Sequence, residues 1–193
     1  MRSVRGALVC LAFVATQGVA QDSGNARYAA EARSGALGMQ QTLAGRLFAE
    51  INANGAESAI GVCKTMAPNA AAELSAKQGA KISRVSLRPR NPVLGHADAW
   101  EQQVLIDFDQ RAAKGEKPET LEHFETVDEP AGRYFRYMKA LPVQPLCLNC
   151  HGSPEAIPQG IRARLAAEYP GDRATGYRAG EIRGAITIKR AIP

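Results

Sequence analysis

The chain has 193 residues, the length of one domain, and 45% of them are hydrophobic, enough for a core and too many for a disordered chain. Lys and Arg number 24 against 19 Asp and Glu, a net charge of +5, and aromatics make up only 6%; scattered arginines with so few aromatics argue against a nucleic-acid surface. Four cysteines are too few for a disulfide-dense miniprotein, so each has to be accounted for singly.

Residues 1–20 have the layout of a secretory signal peptide. Arg2 and Arg5 come first, Gly6 to Val14 form a short apolar run, and Gly18-Val19-Ala20 supplies small residues for cleavage. The run is shorter than the about 20 residues that a spanning helix needs. Cleavage after Ala20 is therefore expected to leave no stable membrane span and to send residues 21–193 to the periplasm or otherwise outside the cytosol. Cys10 sits inside the run behind Val9, which does not suit a lipoprotein site, and it leaves with the leader. Without Arg2 and Arg5 the remainder has 22 basic and 19 acidic residues, net +3, and three cysteines: Cys63, Cys147 and Cys150. An odd number of thiols in an exported chain means that they do something other than simply pair.

Ser23 to Ala36 is rich in Ala, Arg and Gly and is expected to fray. Leu37, Leu43, Leu47, Phe48 and Ile51 then mark a helix ending at Asn54-Gly55. A second helix is predicted from Glu57 to Ala76, stopping at Gly79. Ile60, Cys63, Ala67 and Leu74 recur there at helical spacing, which turns Cys63 inward. Pro68 has no N–H to give Lys64, so this helix should kink or restart just after the cysteine. Lys81–Leu87 alternates as a strand, and Arg88-Pro-Arg-Asn-Pro92 is a loop, because its two prolines suit neither a helix nor a central strand. Trp100, Val104, Leu105, Phe108 and Ala112 mark a third helix. Thr120–Val127 and Gly132–Leu141 read as an antiparallel pair, Ala156–Tyr169 as a short helix, and Gly184–Arg190 as a last strand. The order predicts an α+β domain, an antiparallel sheet with helices packed on it, with no internal repeat and no linker over 21–193.

Residues 147–151 read Cys-Leu-Asn-Cys-His, the C-x-x-C-H pattern of c-type haem attachment. The two thiols add across the two vinyl groups of a haem, and the adjacent His151 then coordinates the iron. Competing readings are a redox disulfide, which lacks a thioredoxin-like βαβ setting, a structural disulfide, and a zinc site, which lacks a second close ligand pair. A haem held by one histidine leaves a sixth position. The candidates are Cys63, His96, His123, Met39, Met66 and Met138, and spacing alone does not decide among them. Charge is uneven: residues 21–130 carry 12 basic and 15 acidic side chains, residues 131–193 carry 10 and 4, so the haem half is the basic half. Arg88, Arg90 and Arg133 are candidates to pair with the haem carboxylates.

Together these residues resemble the PAS-like c-type haem domains, which occur as stand-alone exported proteins and as sensor regions of histidine kinases. The resemblance covers most of 21–193. It rests on Val62-Cys63 with Ala67-Pro68, Arg84-Val-Ser-Leu87 followed by Arg90-Asn91-Pro92, Cys147-Leu-Asn-Cys-His-Gly152, Tyr169 to Tyr177, and Gly180-Glu-Ile-Arg-Gly184. It implies a PAS-like fold and one covalent haem c. It also implies an axial pair of His151 and Cys63, with Arg90 and Asn91 among the cofactor-binding residues. The expected role is a redox or gas sensor acting through a separate signalling partner. The alternative is an electron carrier whose basic half docks an acidic redox partner. A haem-thiolate enzyme acting on sulfur compounds or peroxide ranks last, because no catalytic acid or base is evident beside Cys63.

Overall fold

The structure, a computed structural model, describes the backbone of residues 16–193 and the side chains from Gly24 onward. Cys10 and the apolar run of the expected leader lie outside the described residues.

The first helix, α1, runs unbroken from Thr16 to Asn54. The segment expected to fray is helical and anchors the core: Ala29, Ala32, Ala36 and Met39 are buried. Their spacing of three or four residues lines one face of the helix. Of the expected stripe of larger residues Leu43 packs against the same core, while Leu37 and Phe48 are 40% and 56% exposed. Alanine is the strongest helix former and lets the backbone lie close to a sheet, so an alanine stripe packs α1 without large side chains. Ion pairs of Arg33 with Glu122 and of Glu31 with Arg190 fasten the helix to the sheet strands.

After a short helical turn, α2 (Ala59–Gly61), the backbone widens into one π-helical turn, Val62–Met66, and resumes as α3 (Ala67–Gln78). Pro68 stands in the first turn of α3, where a missing N–H costs least. The predicted restart is thus present, with Cys63 inside the π turn. Gly79 closes α3 in the left-handed conformation, at φ +60°.

Four strands form one antiparallel sheet: β1 (Lys81–Val85), β2 (Glu122–Glu129), β3 (Gly132–Pro142) and β4 (Ile182–Ala191), in the spatial order β1-β4-β3-β2. The last strand in sequence is therefore central. Phe135, Tyr137, Ile186, Ile188 and Ile82 face α1 and α3. Met138, Ala140, Ala185 and Val85 face Val104, Leu105 and Phe108 of α4 (Ala99–Ala113) on the other side. The alternation along each strand supplies both faces. Asp98 and Glu101 start α4 with a reciprocal capping box, each side chain accepting the other's backbone N–H at 2.9 Å. Between β3 and β4 the pairing runs Leu141 with Gly184 and then Pro142 with Ile182. Arg183 is left as the extra residue of a β-bulge. Among the described residues no helix is long and apolar enough to cross a membrane.

Candidate functional site: a cavity shared by the CxxCH turn and the third cysteine

Cys147 ends a 3-10 turn (Pro145–Cys147) and Cys150 and His151 lie on the single helical turn that follows, α5 (Leu148–His151). The two thiols settle into different apolar clusters. Cys147 packs with Val143, Ala174 and Tyr177, and Cys150 packs with Ile60, Tyr169 and with Ile161 and Leu165 of α6 (Gln159–Glu168). Burial pushes the Cys150 thiol pKa up, Cys63 and Cys147 add to the rise, and Arg90 opposes it. All three described cysteines are free thiols.

The turn is tied down from several directions. The carbonyls of His151 and Gly152 accept the N–H groups of Tyr177 and Gly176, at 2.9 and 2.7 Å. The loop reading of residues 88–92 holds, and it carries a buried clamp. Arg90 Nε donates to Asp172 Oδ2 at 3.0 Å, and Arg90 Nη2 donates to the carbonyls of Cys150 and Ala174 at 2.5 and 3.3 Å. Asp172 Oδ1 in turn accepts Ala174 N–H at 2.7 Å. Asn91 Oδ1 accepts the N–H groups of Val93 and Leu94, which fixes the bend of the same loop.

His151 Nδ1 lies 2.7 Å from the Ala174 carbonyl oxygen. Nδ1 also lies 3.1 Å from Arg183 Nε; the tautomer with the proton on Nδ1 donates to the shorter contact, Ala174, and leaves Nε2 as the free ligand nitrogen. Burial, and then the charges of Arg183, Arg90 and Arg84, hold the imidazole pKa well below its ordinary value. His151 is therefore neutral at physiological pH, the form that ligates metals.

His151 lines a cavity of about 350 Å³ between α3, β1 and the 86–95 loop, within the size range of small-molecule sites. Cys63, Arg90 and Asn91 line the same cavity, so the predicted site residues from distant parts of the sequence meet there, with Cys147 and Cys150 on the turn beside it. Met39 is the only other sixth-ligand candidate on its wall. Met138 lies in the core on the α4 side, His96 is at the surface, and His123 packs beside Trp100 and Glu125. A larger groove, about 790 Å³, lies beside Asp109 and Tyr177 and holds neither His151 nor a cysteine.

The arginines differ from the sequence expectation. Arg88 stacks on the Tyr177 ring at 3.7 Å and donates to the Thr175 carbonyl, and Arg133 pairs with Asp128 at the β2–β3 hairpin. Of the three candidates only Arg90 reaches the cavity, and its donors are largely engaged by Asp172 and two carbonyls. Arg84, Arg183 and Tyr169, which stand in the motifs of the resemblance without a role assigned to them, also line it. Tyr169 is buried, and its phenol pKa is raised by that burial and by the nearby Cys63. The alternation of β1 pointed to Arg84, which shares the inward face with Ile82. Arg183 had no such signal, because the bulge sets its direction. No group of three or more His, Cys, Asp or Glu side chains able to hold a metal ion is found among the described residues, so the zinc reading gains no support.

Fold and site together define a class: an α+β domain that carries a Cys-x-x-Cys-His turn at the edge of a cavity shared with a third, distant cysteine. The chain belongs to the Tll0287-like family, whose model matches residues 10–191. Among solved structures it is similar to the cyanobacterial heme-protein Tll0287, with 30% sequence identity, a TM-score of 0.52, and coverage of 66% of this chain and 70% of that one. A search of curated proteins finds no match.

Proposed function

We propose that this chain is an exported, periplasmic monohaem c-type protein of PAS-like fold that acts as a redox or gas sensor. Cys147 and Cys150 hold the haem covalently, and His151 and Cys63 are its axial ligands. One observation carries the reading: the neutral His151 and the distant Cys63 line one cavity, with two free thiols on the same turn as the histidine. The residues fit the group. The wall includes apolar Ala67, Ala71, Ile82 and Leu141 for a macrocycle, and cationic side chains for its carboxylates. The similarity to a heme-protein, and the packing of helices on both faces of an antiparallel sheet, support it further.

The haem supplies an iron that takes two axial ligands, changes oxidation state and binds small gases at an open position. The protein's part is to present a ligand that can let go. Cys63 sits in a π-helical turn, a backbone form found mostly at functional sites. If the haem is held here, a Cys63 thiolate would bind its iron firmly and a neutral thiol weakly, and a released Cys63 would leave the π turn free to rearrange. His151 stays fixed by Ala174 throughout, so the movement falls on the Cys63 side.

The test is the ferric and ferrous absorption spectra of wild type and Cys63→Ala, with and without carbon monoxide. A low-spin, thiolate-ligated ferric spectrum that disappears in the variant is expected. An unchanged ferric spectrum would remove Cys63 as a ligand and turn attention to Met39. The second reading, an electron carrier, draws on the excess charge of residues 131–193, net +6. A wild-type ferrous form that refuses carbon monoxide would favour it over sensing.

A further inference from the structure

Four arginines crowd the His151 side of the molecule, and they are not equivalent. Arg88 and Arg90 have partners, as described above. Arg84, on β1, has none: among the described residues no carboxylate, hydroxyl or carbonyl accepts a hydrogen bond or ion pair from it. Arg183 donates through Nη1 to Ser86 Oγ at 3.0 Å and to the Arg88 carbonyl at 3.3 Å. Its Nε lies 3.1 Å from His151 Nδ1. Its Nε–H is thus directed at the imidazole nitrogen that also contacts the Ala174 carbonyl, and only Nη2 of this guanidinium has no partner among the described residues. Arg183 has no carboxylate within ion-pair distance either, since the nearby Asp172 is committed to Arg90.

Two cations on one half-buried wall without a carboxylate partner are unfavourable, because taking a charge out of water costs free energy unless it is paired. The cavity's other charged groups do not provide one. Lys64 is paired with Glu168, Arg90 with Asp172, and His151 is neutral; Tyr169 and Cys63 are the remaining titratable groups. The bulge is what turns Arg183 toward this wall, and a bulge beside a site is a device for re-aiming a side chain. The wall therefore asks for about two negative charges.

We infer that Arg84 and Arg183 form a two-guanidinium site that binds the two carboxylates of the haem, and that Arg90, Arg88 and Arg133 do not. This rests on the haem reading above. Arginine matches a carboxylate with paired N–H donors, and its pairs with carboxylates are charge-assisted. Arg84 then has a partner for its whole fork, and Arg183 has one for Nη2.

The test uses the haem-loaded, full chain and measures reduction potential against pH from about 5 to 9. Arg84→Gln is the first variant, because Arg84 has no protein partner to lose. An opposite charge within hydrogen-bonding reach lowers a carboxyl pKa by ~1–3 units. Removing it should move the pH at which the potential bends upward by a similar amount, with the Cys63-ligated ferric spectrum unchanged. Arg84→Lys should restore most of the wild-type profile. Arg183→Gln should act in the same direction, and Arg88→Gln should leave the profile in place. If Arg183→Gln does not accumulate, Arg84→Gln against Arg84→Lys still decides. A profile in Arg84→Gln that superimposes on wild type, or a shift seen in Arg88→Gln instead, overturns the inference while the haem reading stands. Absence of covalently bound haem in wild type, read by the pyridine haemochrome assay, overturns both.

Discussion

The buried pair between Arg90 and Asp172 gives the strongest stability prediction. Both side chains are close to inaccessible, at 9% and 12% exposed. Asp172→Ala leaves the guanidinium buried beside two carbonyls with no counter-charge, and it also removes the acceptor for Ala174 N–H. Breaking a buried pair by deleting one partner costs about 3–5 kcal/mol. For a domain of this size each kcal/mol lowers Tm by about 2–4 °C, so a fall of roughly 6–20 °C is expected. Thermal and denaturant unfolding of the haem-loaded protein, followed by circular dichroism, measures it. Asp172→Asn keeps the acceptor for Ala174 and should recover part of the loss. Combining Asp172→Ala with Arg90→Met removes both charges, so the double variant should lose clearly less than the two single losses summed. A single-variant loss below about 1 kcal/mol, the value of a surface pair, or strict additivity in the double variant, would refute the clamp.

Four other outcomes are expected. Cys63→Ala changes the ferric spectrum, and Arg84→Gln moves the pH profile of the potential, by the measurements already given. Gly184→Ala is destabilising, because a Cβ there runs into the Val85 carbonyl of the neighbouring strand; overpacking of this kind costs about 1–3 kcal/mol, and equilibrium unfolding in urea reads it. The hydrogen bonds from Arg33 and Tyr137 hold the Glu122 carboxyl below its ordinary pKa. A lowered folded-state pKa gives stability that is present above the unfolded value, near 4.5, and is lost as pH falls through the folded value. Glu122→Gln should thus be less stable than wild type at pH 7, with the difference closing below about pH 4. A constant difference across that range would assign the effect to packing instead.

The parts of the fold that were legible in the sequence are those whose signal is local. The β2–β3 hairpin, the α4 stripe and the CxxCH turn are written in contiguous residues, and so is the break that Pro68 makes after Cys63. The start of α1 was not legible, because its buried face is made of Ala29, Ala32 and Ala36. Small side chains carry no hydrophobic contrast, while the visible large residues, Leu37 and Phe48, face outward. The role proposed for Cys63 came from the family resemblance and not from spacing, since Met39 and four other side chains fitted as well. The partners of the arginines were not legible for a related reason. Whether a guanidinium is free depends on carboxylates far off in sequence, as Asp172 is from Arg90. The aim of Arg183 depends on a bulge that exists only once β3 and β4 are paired.

The central place of β4 sets the order of events as the protein forms. β1 has no neighbour but β4, and β3 gains its second neighbour only from β4, so the sheet cannot close until the last strand has been delivered. Pairings across such sequence distance are slow to form. Residues 147–151 precede β4, and contacts from residues 172–177, just before it, join those of Ile60, Arg90 and α6 around them. Delivery of β4 also brings Arg183 and Gly184 to the wall that His151 and Cys63 share, so closing the sheet and completing the cavity are one event.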